Sequence, residues 1–245
     1  MHMKDFFSKT AVITKKELFN AFISPAVYIG IIIFITASSI TFFLQNHFFV
    51  PGQGSADLRS FYAFFPYICI LCIPAFTMHL WSGEITDLVF SLPVPALALI
   101  TGKWLSSLLI CIYVQVILLL VPFTVHFFGA VDMGQVIAAN VVVLLYFSTA
   151  TALGEFLSLA AKNQITSALL TVLILSLLNG AHVVPLLFKM PKIFENFFNG
   201  ISFSYHFDAA SKGIIAFRDI LFYFALTAIL LSLQLLVIEA KKEKD

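Results

Sequence analysis

Long runs without a single charge constrain this chain more than any other feature. No Lys, Arg, Asp or Glu occurs between Glu17 and Asp57, Arg59 and Glu84, Lys103 and Asp132, Asp132 and Glu155, Lys162 and Lys189, or Asp219 and Glu239. About 20 apolar residues cross the hydrocarbon core of a bilayer, and an isolated charge at its centre is costly. The gaps therefore predict six membrane spans, near 26–48, 61–81, 104–128, 136–160, 165–187 and 220–238, in an all-α membrane protein.

The remaining charges are too few to clothe a soluble domain. They number 14 basic and 13 acidic residues in 245, or 11% of the chain, where a soluble domain carries roughly 25%. A net charge of +1 leaves no basic patch for nucleic acid. An even number of spans puts both termini on one side. If that side is cytoplasmic, it holds Lys4, Lys9, Lys15, Lys16, Lys103, Lys162, Lys241, Lys242 and Lys244, against Arg59, Lys189, Lys192, Lys212 and Arg218 outside. The positive-inside rule thus sets both ends in the cytoplasm. Met1 to Asn20 is polar and basic ahead of a stretch too long for a signal core, so the first span is expected to stay in the mature chain.

Between the spans the sequence is patterned. Residues 4–24 read as an amphipathic interfacial helix: Phe7, Ala11, Leu18 and Phe22 recur on one face with Val12, Phe19 and Ile23 beside them, and Lys9, Lys16 and Asn20 lie opposite. Ser24-Pro25 ends it and opens the first span. Pro66 and Pro74 remove two backbone donors from span two and predict a bend, a feature of gating helices and inert bundles alike. The cytoplasmic stretch 82–103 is half polar, with Glu84, Thr86 and Asp87 ahead of Leu92 and Pro93, and fits a short helix on the membrane surface. Spans four and five are joined only by Ala161-Lys162-Asn163-Gln164, which forces antiparallel neighbours. Span five weakens at Asn179-Gly180-Ala181-His182 before Pro185. In the external element 188–219, Phe203, Phe207, Ala210, Ile214 and Phe217 recur at helical spacing. Asp208, Lys212 and Asp219 mark the other side of this half-buried helix, with Asp208 and Lys212 as an i,i+4 pair.

Groups able to do chemistry are scarce inside the spans. Glu155 is the sole carboxylate in one, roughly 10 Å from its cytoplasmic end at about 1.5 Å per residue. Two readings stand: a proton or substrate site, or a carboxylate that reaches the interface or pairs with a cytoplasmic Lys. Cys69-x-x-Cys72 is half of a metal or redox motif with no second pair, so these cysteines and Cys111 read as helix-packing residues. His47, His79, His126, His182 and His206 sit near span ends without metal-ligand spacing, so no metal site is expected. Neither Gly-x-Ser-x-Gly nor Gly-x-x-x-x-Gly-Lys-Ser/Thr occurs. No catalytic residues are assigned, and the chain is not expected to be an enzyme or to hydrolyse ATP by itself.

Four stretches carry a family resemblance. They are Lys16-Glu17-Leu18 through Ser24-Pro25-Ala26-Val27-Tyr28; Phe61-Tyr62 and Phe65-Pro66 through Ile73-Pro74-Ala75-Phe76-Thr77-Met78, Ser91-Leu92-Pro93-Val94 and Gly102-Lys103; Lys162-Asn163-Gln164; and Ser204 to Asp219, with His206-Phe207, Gly213-Ile214-Ile215 and Arg218-Asp219. In this order they resemble a type-2 ABC transporter permease, and within that group the chain is similar to the gliding-motility-associated permeases. Two departures stand out. The run Trp81-Ser82-Gly83-Glu84-Ile85-Thr86-Asp87 is a few residues shorter than the family's, and Glu155 stands where an apolar or small residue is expected.

The resemblance implies an export permease of the bacterial cytoplasmic membrane, with six spans per subunit, paired with a second permease subunit and with two cytoplasmic ABC ATPase subunits that bring the ATP and Mg. The ATPases would dock on the elbow helix through Lys16 and Glu17, and on the loop between spans two and three through Gly83, Glu84, Thr86, Asp87, Leu92 and Pro93. Pro66, Pro74, Glu155 and Asn179 are the candidates for translocation or gating. The external element, with His206, Phe207, Asp208, Arg218 and Asp219, reads either as the seat of an extracytoplasmic accessory protein or as a lid. Competing readings are a secondary transporter or channel using Glu155, and a membrane enzyme built on His206 and Asp208.

Overall fold

The computed structural model describes residues 3–45, 58–82, 94–128 and 132–242, and among them all regular structure is helical. In chain order the helices are α1 (Met3–Ile23), α2 (Pro25–Gln45), α3 (Arg59–Ala63), α4 (Phe65–Thr77), α5 (Ala96–Leu118), α6 (Leu120–Phe128), α7 (Met133–Ala160), α8 (Gln164–Gly180), a 3-10 turn at Ala181–Val183, α9 (Val184–Phe188), α10 (Lys192–Ile201), α11 (Phe203–Ser211) and α12 (Phe217–Lys242). Five stretches are long and apolar enough to cross a bilayer: Pro25–Leu44, Ala96–Phe127, Met133–Ala160, Gln164–Phe188 and Phe217–Lys241.

Local chemistry explains the breaks between them. Ser24 alone separates α1 from α2, with Pro25 in the first turn where its missing N–H costs nothing. Asp132 caps α7 by accepting from the N–H of Gly134 at 2.8 Å, and Asn163 caps α8 through the N–H of Thr166 at 2.8 Å. The three-residue link between α7 and α8 makes them the antiparallel pair that the sequence predicts. Span five also falters where expected: α8 stops at Gly180, and the chain passes through the 3-10 turn into α9 with Pro185 in its first turn. At its end Lys189 takes a left-handed conformation, φ 47°.

α7 is the axis of the bundle. Of its most apolar stretch 61% is buried, against 28% for α2. α4, α5, α8, α11 and α12 pack around it. The closest approach at a glycine among the described residues is here: a Cβ on Gly154 of α7 would stand 2.3 Å from Thr77 Oγ1 of α4. Midway along α7, Tyr146 and Phe147 join Phe34, Phe65, Phe203, Phe207 and Tyr223 in an aromatic core with neighbouring ring centroids 5.2–6.0 Å apart. Part of the chain's phenylalanine thus fills the interior instead of facing lipid.

The outer helices are inside out by soluble standards. α8 buries Ser167, Thr171, Leu175 and Asn179 along one face and exposes Ile165, Leu169, Leu173 and Leu177 along the other. In water so large an apolar stripe invites association; in hydrocarbon it faces its preferred solvent while hydroxyls and amides bond inward.

Three expectations need correction, and α1 shows a face that the sequence pattern did not assign. Span two is a shorter helix than predicted, because Pro66 opens α4 in its first turn and the helix breaks just before it at Phe64. Span three begins at Ala96 instead of 104, since Pro95 is extended and starts the helix, so Lys103 belongs to α5 and not to the loop 82–103. α1 is helical over the predicted range; it packs on the bundle through Thr10, Ile13, Thr14, Glu17 and Ala21 and leaves Phe7, Ala11, Val12, Phe19 and Ile23 exposed, as an apolar side turned to lipid would be. The helix from Phe203 ends at Ser211, because Gly213 turns the chain at φ 81° against Gln135. Ile214 and Phe217 are consequently exposed, and Asp219 is buried in place of lying on the polar side.

Candidate functional site

The strongest concentration of buried charge forms where α1 meets the first turns of α5. Glu17 and Lys103 are both almost wholly buried, 3% and 0% exposed, and Lys103 Nζ donates to Glu17 Oε1 at 3.2 Å. The same ammonium donates to the carbonyl of Leu80 and sits 4.8 Å from the ring centre of Trp81. Lys16, exposed, adds a second cation 3.4 Å from Glu17. A parallel bond, Thr14 Oγ1 to the Gly102 carbonyl at 3.1 Å, fixes the register of α1 on α5. Charges this deep are tolerated because each has an opposite partner and further hydrogen bonds; removing one partner strands the other.

Trp81 carries the network to α7. Its indole N–H donates to Glu155 Oε1 at 3.2 Å, and the backbone N–H groups of Trp81 and Ser82 donate to Ser158 Oγ at 3.1 and 3.2 Å. Ser158 in turn donates to the Met78 carbonyl at 3.2 Å. The turn 78–82 that follows α4 is therefore held from both sides, by Lys103 and by Ser158. Glu155 is fully buried; it neither reaches the interface nor ion-pairs directly with a lysine among the described residues. Its Oε2 and Gln234 Oε1 make no hydrogen bond, and Gln234 of α12 lies beside the carboxyl.

At the opposite end of the bundle the buried polar groups are mostly neutral. Asn179 donates to Tyr146 Oη at 3.0 Å and to the Leu175 carbonyl at 2.9 Å, and it accepts from Ser204 Oγ at 3.0 Å. Tyr146 Oη also reaches the Pro66 carbonyl at 3.2 Å. Asn140 donates to Tyr62 Oη at 2.9 Å and accepts from Gln115. A cavity of about 380 Å³ opens here, lined by Phe64, Tyr67, His182, Ser204, Tyr205 and Asp208 among others. Pro74 lies instead in the last turn of α4, beside the turn 78–82, where its carbonyl accepts the N–H of Met78 at 2.9 Å.

His206 is paired with Asp219, Nδ1 to Oδ1 at 2.6 Å, and not with Asp208. Its Nε2 faces the Gly200 carbonyl at 3.2 Å, and its ring stacks on Phe222 with centroids 4.0 Å apart. Arg218 donates to the same Asp219 oxygen at 3.3 Å and lies over Tyr205. Asp208 instead forms the exposed ion pair with Lys212 that the spacing predicts. With both ring nitrogens held by a carboxylate and a carbonyl, His206 stands as an anchor of α12 on α11, and the His206–Asp208 enzyme arrangement is not formed. Phe207 is buried and stacks on Phe65.

Of the sequence candidates, then, Glu17 and Glu155 gather into one network, while Pro66 and Asn179 meet at Tyr146. Gly83, Glu84, Thr86, Asp87, Leu92 and Pro93 lie outside the described residues, as does His47. Lys103, Trp81 and Ser158 were missed. A signal existed: Thr10, Thr14, Glu17 and Ala21 on α1, and Gly102, Lys103, Ser106 and Ser107 on α5, are stripes of small or polar residues at helical spacing. No group of three or more His, Cys, Asp or Glu side chains among the described residues is placed to hold a metal, and Cys69, Cys72 and Cys111 are free and buried.

Fold and site together define an all-helical protein whose outer helices are built for lipid. The chain matches no protein-family model and no curated protein.

Proposed function

We propose that this chain is the membrane-spanning permease subunit of an ABC exporter in the bacterial cytoplasmic membrane, with both termini cytoplasmic, acting with a second permease subunit and separate ATP-binding subunits. The observation that carries the reading is the hydrogen-bonded union of α1, the turn 78–82 and the start of α5 through Glu17, Lys103 and Leu80. Force applied to either the elbow helix or the segment after Ser82 enters the same rigid corner, and Ser158 and Glu155 pass it to the central helix. In this reading α3, α4 and the turn 78–82 make the sixth crossing. Their contacts run parallel to α7, from Tyr62 on Asn140 to Met78 on Ser158, about 27 Å at 1.5 Å per residue, close to the hydrocarbon thickness.

The test is to search the neighbouring reading frames for an ABC ATPase and to reconstitute its product with this chain in nanodiscs. Stimulated ATP hydrolysis is expected, and it should disappear when Glu84 and Asp87 are both replaced by Lys. Unchanged stimulation in that double variant overturns the docking assignment.

A second reading is favoured by one observation, the buried Glu155 Oε2 without a hydrogen bond: a secondary transporter or channel in which this carboxyl takes up a proton. Glu155→Gln keeps the size of the side chain and removes the titration. Loss of pH-dependent flux in liposomes without any ATPase supports this alternative, and absence of ATP-independent flux in the unaltered protein dismisses it.

A further inference from the structure

Helix α10 is the most sharply two-faced element of the chain and is oriented backwards for a protein in water. Ile193, Phe194, Phe197, Phe198 and Ile201 fall on one side of it, and Lys192, Glu195, Asn196 and Asn199 on the other. Ile193 and Phe197 are 81% and 62% exposed, whereas Glu195 and Asn199 are partly buried. The inner contacts of α10 are with the turn 181–183, α9 and α11. None of its residues is buried.

We propose that the apolar face of α10 is a lipid-binding surface, lying in the lipid–water boundary at the end of the bundle where α8 finishes and α12 begins. Three features identify the occupant as lipid. The segment is tied at both ends to stretches built to cross a bilayer, Gln164–Phe188 before it and Phe217–Lys241 after it. The exposed apolar surface is continuous into the first of these through Leu186, Leu187 and Phe188, which are exposed and precede α10 by only a short link. Lys189 and Lys192 flank that link, where a phosphate headgroup layer would meet them. The groove beside the helix, about 590 Å³ and lined by Met190, Pro191, Ile193, Phe194, Phe197 and Phe198, is wholly apolar and fits acyl chain segments.

The test is a spin-label scan of the full chain in phosphatidylethanolamine–phosphatidylglycerol vesicles. The native cysteines are buried, so a nitroxide reagent reacts at an introduced one. At Phe197→Cys, collision with oxygen, which partitions into lipid, is expected to exceed collision with a water-soluble nickel chelate severalfold. At Asn196→Cys the ratio should reverse. Phe194→Cys serves as a second apolar site should Phe197→Cys fold poorly. Nickel exceeding oxygen at both apolar positions overturns the proposal in favour of a water-facing helix. Low collision with both reagents there overturns it in favour of a protein cover, such as a second copy of this chain. The measurement needs no ATPase, so its outcome is independent of the transport reading.

Discussion

Where α1 docks, the bundle buries ions: Glu17 against Lys103, with Trp81 and Glu155 alongside. Around Tyr146 and Asn179 it buries amides, hydroxyls and aromatic rings, and the buried ionisable pair among the described residues there, His206–Asp219, has the guanidinium of Arg218 in attendance. A neutral network loses strength in small steps as members are removed. An ionic one fails all at once, because the survivor is a charge with no water to receive it. The charged end is therefore suited to locking two elements into one body, and the neutral end to holding a core of fixed shape.

The largest effect should come from Lys103→Met, which empties the ammonium's buried place beside Leu80 and Trp81 and leaves Glu17 only the exposed Lys16: a loss of about 3 kcal/mol in SDS-titrated unfolding from mixed micelles. Adding Glu17→Gln to it should restore more than half. A single variant as stable as the unaltered protein would erase the contrast between the two ends. Next, Gly154→Val drives a side chain into Thr77 and should cost about 2–3 kcal/mol by overpacking, with Thr77→Ala returning most of it.

His206→Leu tests the other end. Asp219 keeps Arg218, so the loss should be about 2 kcal/mol, and a loss equal to that of Lys103→Met would show that the two ends do not differ as described. Tyr146→Phe, which removes one hydroxyl from the neutral network, should cost about 1 kcal/mol. Asp208→Asn, breaking an exposed i,i+4 pair with Lys212, should change stability by no more than about 0.5 kcal/mol and only at low salt.

What could be read from the chain in advance followed the range of the forces involved. Helix ends set by local chemistry, Ser24-Pro25, Asn163 and the weak point at Asn179–His182, were legible because capping and ring closure act within a few residues. The charge-free gaps marked the long apolar stretches for the same reason. Lys103 was misplaced in a loop because a lone cation reads as a boundary; only its partner on α1, 86 residues earlier, makes it tolerable inside a helix. Asp219 was set on a polar face because its spacing continues that of Asp208 and Lys212, and the turn at Gly213 breaks that register. The docking face of α1 was not assigned: the apolar pattern of an interfacial helix marks its lipid side, and hydroxyls and a carboxylate are left to face the protein.

That separation in sequence also sets an order of events during synthesis. α1 leaves the ribosome first, but its anchor lies 86 residues further on, roughly 4–17 s later at 5–20 residues per second. Until α5 arrives, Glu17 has nowhere to be buried and must wait at the water's edge. A nascent chain arrested before residue 103 should therefore carry an undocked N-terminal helix, open to protease or chaperone. The seating of that helix then marks the moment at which the corner of the bundle is complete.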